Sequence, residues 1–218
     1  MSDHEPEYPT EKSVSYTTRE PYFTLGNPHR GAGNTWIVFH GIGQLARFFL
    51  RNFNHLDLTR NYVLAPQAPS LYYTSDTYDR VGASWLTREN TQGHMENLLA
   101  YLDVMAAEEG LKDCNNLIAF GYSQGVSVLC RWVARRRITC RRIVLYAGRI
   151  PEELRPADFE HLPEGCRVEL YHGDSDPMAD KWGRKELADH ARKVFGSRLE
   201  IINYRGGHEL QRKWIREK

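Results

Sequence analysis

Asn116-Leu117-Ile118-Ala119-Phe120-Gly121-Tyr122-Ser123-Gln124-Gly125 is the stretch on which the fold turns. Leu117 to Phe120 is a short, unbroken apolar run, the pattern of a strand covered on both faces. Beyond it, Val126, Leu129, Cys130 and Val133 recur at helical spacing, so a helix is expected to follow directly. A strand that passes into a helix this quickly must turn sharply. Gly121 and Gly125 remove two Cβ atoms from that turn, and Ser123 is lifted out of the sheet at the helix start. As five letters, Gly-x-Ser-x-Gly is a weak signal, and an ordinary tight turn is the plain alternative. The strand before it and the helix after it give it weight.

The same rhythm extends to both sides. Apolar runs at 35–39, 62–65, 142–147, 168–172 and 199–204 bring the expected strands to six. Met95, Leu98, Leu99, Leu102, Met105 and Ala106 form one helical stripe that Gly110 can close, and Leu187, Ala191 and Val194 form another. Strands alternating with helices predict an α/β fold, a mostly parallel sheet with helices on both faces. Residues 13–25, rich in Thr, Tyr, Val and Phe, read as one or two antiparallel strands. Residues 1–12 are acidic and contain prolines, and are expected to be a disordered leader before a single domain over 13–218.

Composition narrows the function classes. The 218 residues are 41% hydrophobic and 26% charged, which excludes a collagen-like chain, a coiled coil and a disordered protein. The 29 Lys and Arg nearly cancel the 28 Asp and Glu, so no global charge points to nucleic acid. No apolar run is long enough to span a bilayer, and the N-terminus lacks the basic and apolar regions of a signal peptide. Cys114, Cys130, Cys140 and Cys166 show no Cys-x-x-Cys spacing, so free thiols and a cytoplasmic location are expected.

In a parallel sheet, chemistry gathers on loops beyond the carboxyl ends of the strands. His40-Gly41-Ile42-Gly43-Gln44 follows the 35–39 strand as a glycine-rich loop. The expected anion donors are the backbone N–H groups of Ile42 and Gln124, with His40 orienting the loop. Gly173-Asp174-Ser175-Asp176-Pro177 follows the 168–172 strand with two carboxylates. Asp176, further out and held by Pro177, is the better placed to orient a histidine, and Asp174 is expected to brace the loop. Gly206-Gly207-His208 ends the last strand, and a histidine after two glycines can swing over the sheet as a base.

Together these motifs resemble the carboxylesterase/phospholipase group of α/β-hydrolases, which includes acyl-protein thioesterases and small bacterial carboxylesterases. The resemblance covers about residues 33–217, and is closest to small bacterial hydrolases. The chain order Ser123, Asp176, His208 matches that superfamily. The resemblance implies a carboxylesterase with Ser123 as nucleophile, Asp176 as acid and His208 as base, working on small to medium acyl esters without metal or cofactor. Thioesterase or lysophospholipase activity, amidase or peptidase activity, and a non-catalytic binding role remain as alternatives.

The relatives often carry Trp-Phe-Asp where this chain has Trp85-Leu86-Thr87, so acyl-chain preference does not transfer. Trp85, Tyr72 and Tyr73 are candidates to line a substrate pocket, with simple packing as the equal alternative. The short 148–165 segment leaves no room for a large cap. The expected partner is a small acyl ester or thioester, and the expected assembly a monomer or homodimer. The arginines between Arg131 and Arg142 read as a solvated helix end, where cations suit the dipole.

Overall fold

The computed structural model describes residues 9–28 and 33–216, so the leader expected over 1–12 lies largely outside the described residues. Seven strands form the main sheet: β1 (Tyr22–Leu25), β2 (Asn34–Phe39), β3 (Asn61–Pro66), β6 (Leu117–Tyr122), β7 (Arg142–Tyr146), β8 (Arg167–Gly173) and β9 (Leu199–Tyr204). Their spatial order is β1-β3-β2-β6-β7-β8-β9. Every neighbouring pair is parallel except β1 against β3. Two further strands, β4 (Ser70–Tyr73) and β5 (Val81–Ser84), make a separate antiparallel hairpin.

The alternation of each strand sends its side chains into two layers. Ile37, Phe39, Ala119, Leu145 and Leu170 meet the apolar stripes of α2 (Thr91–Glu108), α3 (Gln124–Arg136) and α5 (Arg184–Phe195). Trp36, Val38, Ile118, Phe120, Tyr146 and Tyr171 face the other way. There the cover is α1 (Ala46–Phe49), the single turn that continues it to Phe53, and Ile215 near the C-terminus. Helices thus lie on both faces, long on one and short on the other. Burial of each large apolar side chain stabilises the fold by roughly 1.5–3 kcal/mol. Trp36, Trp85 and Trp132 are fully buried, and each indole N–H is satisfied: by Asn61 Oδ1 at 2.9 Å, the His40 carbonyl at 2.8 Å and Asp103 Oδ1 at 3.3 Å.

Residues 13–25 supply one antiparallel strand, within the one or two expected. Of residues 13–25, only Tyr22–Leu25 enters a ladder; Val14 and Tyr16 are 87% and 84% exposed, so no buried face sets a register there. The hairpin β4–β5 is additional, and its exposed Leu71, Tyr72 and Tyr73 give no alternation that would mark a strand. The 148–165 segment folds onto the helix-side layer through Leu154, Phe159 and Leu162 and forms no large cap.

All four cysteines are free thiols. Among the described residues no helix is long and apolar enough to cross a membrane, and no group of three His, Cys, Asp or Glu side chains is placed to hold a metal ion. The basic stretch is largely neutralised, with Arg131 on Glu153, Arg135 on Glu96 and Arg136 on Asp103.

Candidate active site

The chain runs from β2 to β3 on one side and then crosses back to β6 on the other. The order therefore reverses between β2 and β6, the point where an open parallel sheet leaves a crevice at its carboxyl edge. Phe39 pairs with Gly121, so the loops that follow β2 and β6 emerge side by side.

Ser123 stands at the tip of the second loop with φ +52° and ψ −118°, a conformation that L-residues rarely adopt. The strain is local and has a cause. A Cβ on Gly121 would meet the Val126 backbone at 2.8 Å, and one on Gly125 would meet the Phe39 carbonyl oxygen at 2.2 Å. The helix start is therefore pressed against both its own strand and β2, and the serine between has no other path.

Three side chains converge here from three strand ends. His208 Nε2 lies 2.9 Å from Ser123 Oγ, and His208 Nδ1 lies 2.9 Å from Asp176 Oδ2. Asp176 is fully buried and also caps α4 (Pro177–Trp182), its Oδ1 accepting from the Met178 N–H at 2.8 Å. Asp174 is exposed and turned elsewhere: its Oδ1 accepts from the Gly206 N–H at 3.0 Å, which ties the β8 loop to the β9 loop. That bond holds the Asp174 carboxyl below the usual range. His208 is further held through its carbonyl, which accepts from the Tyr122 hydroxyl. Burial, then the charge of Asp176, pushes the Tyr122 phenol up to about 12, so it stays a donor.

The β2 loop is built around His40, which is completely buried. Its Nε2 accepts from the Ala68 N–H at 3.1 Å, which leaves Nδ1–H to donate to the Gly41 carbonyl at 2.8 Å. Burial pushes this imidazole down to about 4. It is a neutral strut, as its place in the sequence suggests. The Gly41 N–H is taken by Gln44 Oε1 at 2.9 Å and the Gly43 N–H by the Ala83 carbonyl at 2.8 Å. These two bonds fix the backbone on either side of Ile42. The Gln124 side chain is pinned as well: Oε1 accepts from the Trp85 N–H at 3.0 Å, and Nε2 donates to the Leu86 carbonyl at 2.8 Å and to Ser84 Oγ at 3.1 Å.

The three pocket candidates part company. Trp85 is 1% exposed, with its ring 4.8 Å from that of His40, so it supports the β2 loop from below and does not line a pocket. The physical reason is its indole N–H, which the buried His40 carbonyl satisfies. Tyr73 is exposed on the far side of the hairpin, edge-on to Tyr78 at 5.0 Å between ring centres. Tyr72 reaches the β2 loop from the exposed side: its hydroxyl lies 3.5 Å from where a Gly43 Cβ would stand. The role of Ser84 and the Tyr122–His208 bond were not read from the sequence, because nothing local marks either.

The fold and the sharp strand–serine–helix turn define an α/β-hydrolase architecture. Solved structures agree. The chain is similar to acyl-protein thioesterase 2 of Zea mays (17% identity over 89% of this chain and 97% of that one, TM-score 0.66) and to a Bacillus cereus carboxylesterase (17%, 89% and 92%, TM-score 0.64). It is also similar to esterase PE8 (19%, 90% and 94%, TM-score 0.65). These are the group that the sequence motifs resemble. No protein-family model and no curated protein sequence matches the chain.

Proposed function

We propose that the protein is a serine hydrolase that cleaves small to medium carboxylic esters through an acyl-enzyme on Ser123. The observation that carries this reading is the continuous hydrogen-bonded line Ser123 Oγ–His208–Asp176, with both links at 2.9 Å. Asp176 accepts from Nδ1–H and so holds His208 in the tautomer whose Nε2 can take the serine proton. The serine oxygen attacks the acyl carbonyl, and the Ile42 and Gln124 N–H groups receive the oxyanion. His208 then gives its proton to the leaving alcohol, and water, activated by the same imidazole, releases the acid. Each anion donor contributes about 3–4 kcal/mol to the transition state in comparable sites. Exposed Ile42 and half-exposed Tyr72 offer apolar surface beside the loop for the acyl chain.

The test is hydrolysis of p-nitrophenyl esters of increasing chain length by the wild type and Ser123→Ala. The expected result is turnover that Ser123→Ala lowers by about a thousandfold or more. A mutant as active as the wild type overturns the assignment.

A further inference from the structure

The Asp176 carboxylate is only as well aimed as the loop that carries it. That loop is a tight turn from Gly173 to Asp176, closed by the Asp176 N–H on the Gly173 carbonyl at 3.3 Å. It is also the surface on which the His208 loop rests. A Cβ on Gly173 would meet the Gly206 and Gly207 carbonyl oxygens, each at 2.3 Å, and the Ser175 N–H bonds the Gly206 carbonyl at 3.0 Å. A shift of either end of the turn therefore moves both Asp176 and His208.

One side chain spans the two ends. Arg184, the first residue of α5, donates from Nη1 to the Gly173 carbonyl at 2.6 Å and from Nη2 to the Asp176 carbonyl at 3.0 Å. Its Nε bonds Asp180 Oδ1 at 2.5 Å, which aligns the fork. A guanidinium has the planar, fixed donor set this requires, and an ammonium does not.

We propose that Arg184 is a positioning residue for the hydrolytic reaction: it clamps the Asp176 turn at both ends and so sets the geometry of the Asp176–His208 pair. The proposal rests on the reading of Ser123, Asp176 and His208 given above. Arg184 touches no reacting atom, and its effect falls on the chemical step and not on substrate binding. It also lines an open groove of about 480 Å³, together with His172, Ala188, Arg192 and Asn203, so a small cation can reach its place from solvent.

The experiment uses p-nitrophenyl acetate and the full chain, comparing the wild type with Ser123→Ala, Arg184→Ala, Arg184→Lys and Arg192→Ala. Displacements of the order of an ångström in such a pair cost up to about 100-fold. Arg184→Ala is expected to lose about 10- to 100-fold in kcat with KM unchanged. Arg184→Lys, which can reach one carbonyl but not both, is expected to recover part of the loss. Arg192→Ala, which removes a cation from the same groove and helix, is expected to keep full activity. Free guanidinium at tens of millimolar should raise the rate of Arg184→Ala, and urea at the same concentration should not.

Full kcat in folded Arg184→Ala overturns the proposal. So does a loss that tracks only the unfolded fraction, by circular dichroism, and that guanidinium leaves untouched. If Arg184→Ala does not fold, Arg184→Lys decides alone: wild-type kcat overturns the clamp, and a lowered kcat at unchanged KM supports it. Activity in Ser123→Ala equal to the wild type sinks the hydrolase reading itself, whereas an inactive Ser123→Ala beside a fully active Arg184→Ala sinks the clamp alone.

Discussion

Replacing Gly125 by alanine probes how the turn at Ser123 and the β2 loop depend on each other. The added Cβ would lie 2.2 Å from the Phe39 carbonyl oxygen, 2.7 Å from its carbon and 2.8 Å from the His40 oxygen. Ordinary contact begins near 3.4 Å, so the deficit is about 1.2 Å, and the three nearest atoms are all backbone. No rotamer can relieve it. Either the first turn of α3 backs away from β2, or the end of β2 gives. Both moves separate the Gln124 N–H from the Ile42 N–H by something of the order of an ångström.

Overpacking of this kind costs about 1–3 kcal/mol of stability. A misplacement of that size costs about 100-fold in rate, or about 2.7 kcal/mol. Gly165 is the control, since a Cβ there meets nothing within 4 Å and its φ lies outside the left-handed region. The assay is kcat for p-nitrophenyl acetate with the urea midpoint of each variant. Gly125→Ala should lose on both counts and Gly165→Ala on neither. If Gly125→Ala keeps its kcat and its midpoint, the close packing of helix on strand does not set the site, and the reasoning fails.

Two other outcomes follow from the same geometry. Asp176→Asn keeps an oxygen to cap α4, so its melting temperature should stay close to that of the wild type, while the amide favours the wrong His208 tautomer and kcat drops by about 10³–10⁴; an active Asp176→Asn would show that the carboxylate is dispensable. His40 should impose a pH dependence on folding. Its imidazole titrates near 6.5 when unfolded and is pushed down to about 4 when folded, so below pH 6.5 the unfolded chain binds the proton first. Stability is then complete above 6.5 and falls as pH drops toward 4, by about 3 kcal/mol in all. His40→Gln, which keeps an acceptor for the Ala68 N–H, should flatten the profile of urea midpoints across that window; an unchanged slope refutes the assignment.

The architecture was legible because its core strands are apolar on both faces, a pattern that β2, β3, β6 and β7 carry in four to six consecutive residues. The turn at Ser123 was legible because close backbone approach excludes every side chain but glycine's, so Gly121 and Gly125 announce it. Where burial does not constrain both faces, the sequence is quiet. The hairpin β4–β5 lies outside the main sheet with its tyrosines exposed, and residues 13–20 have strand composition without a ladder to join. Trp85 reads as a pocket aromatic or as core with equal ease, because only the neighbouring His40 carbonyl decides where its indole N–H goes.

Local sequence therefore determines where this chain turns, which runs are buried, and which residue types stand at the carboxyl ends of the strands. Their mutual distances are set elsewhere. Residues 123, 176 and 208 meet only because three parallel strands lie in register across the sheet. Asp176 rather than Asp174 faces His208 because the turn closes on Gly173 and leaves Asp174 to the Gly206 amide. The Arg184 fork across that turn has no signature at all: its partners are backbone carbonyls, which every residue possesses, and only the packing of α5 against the β8 end brings two of them within reach of one guanidinium.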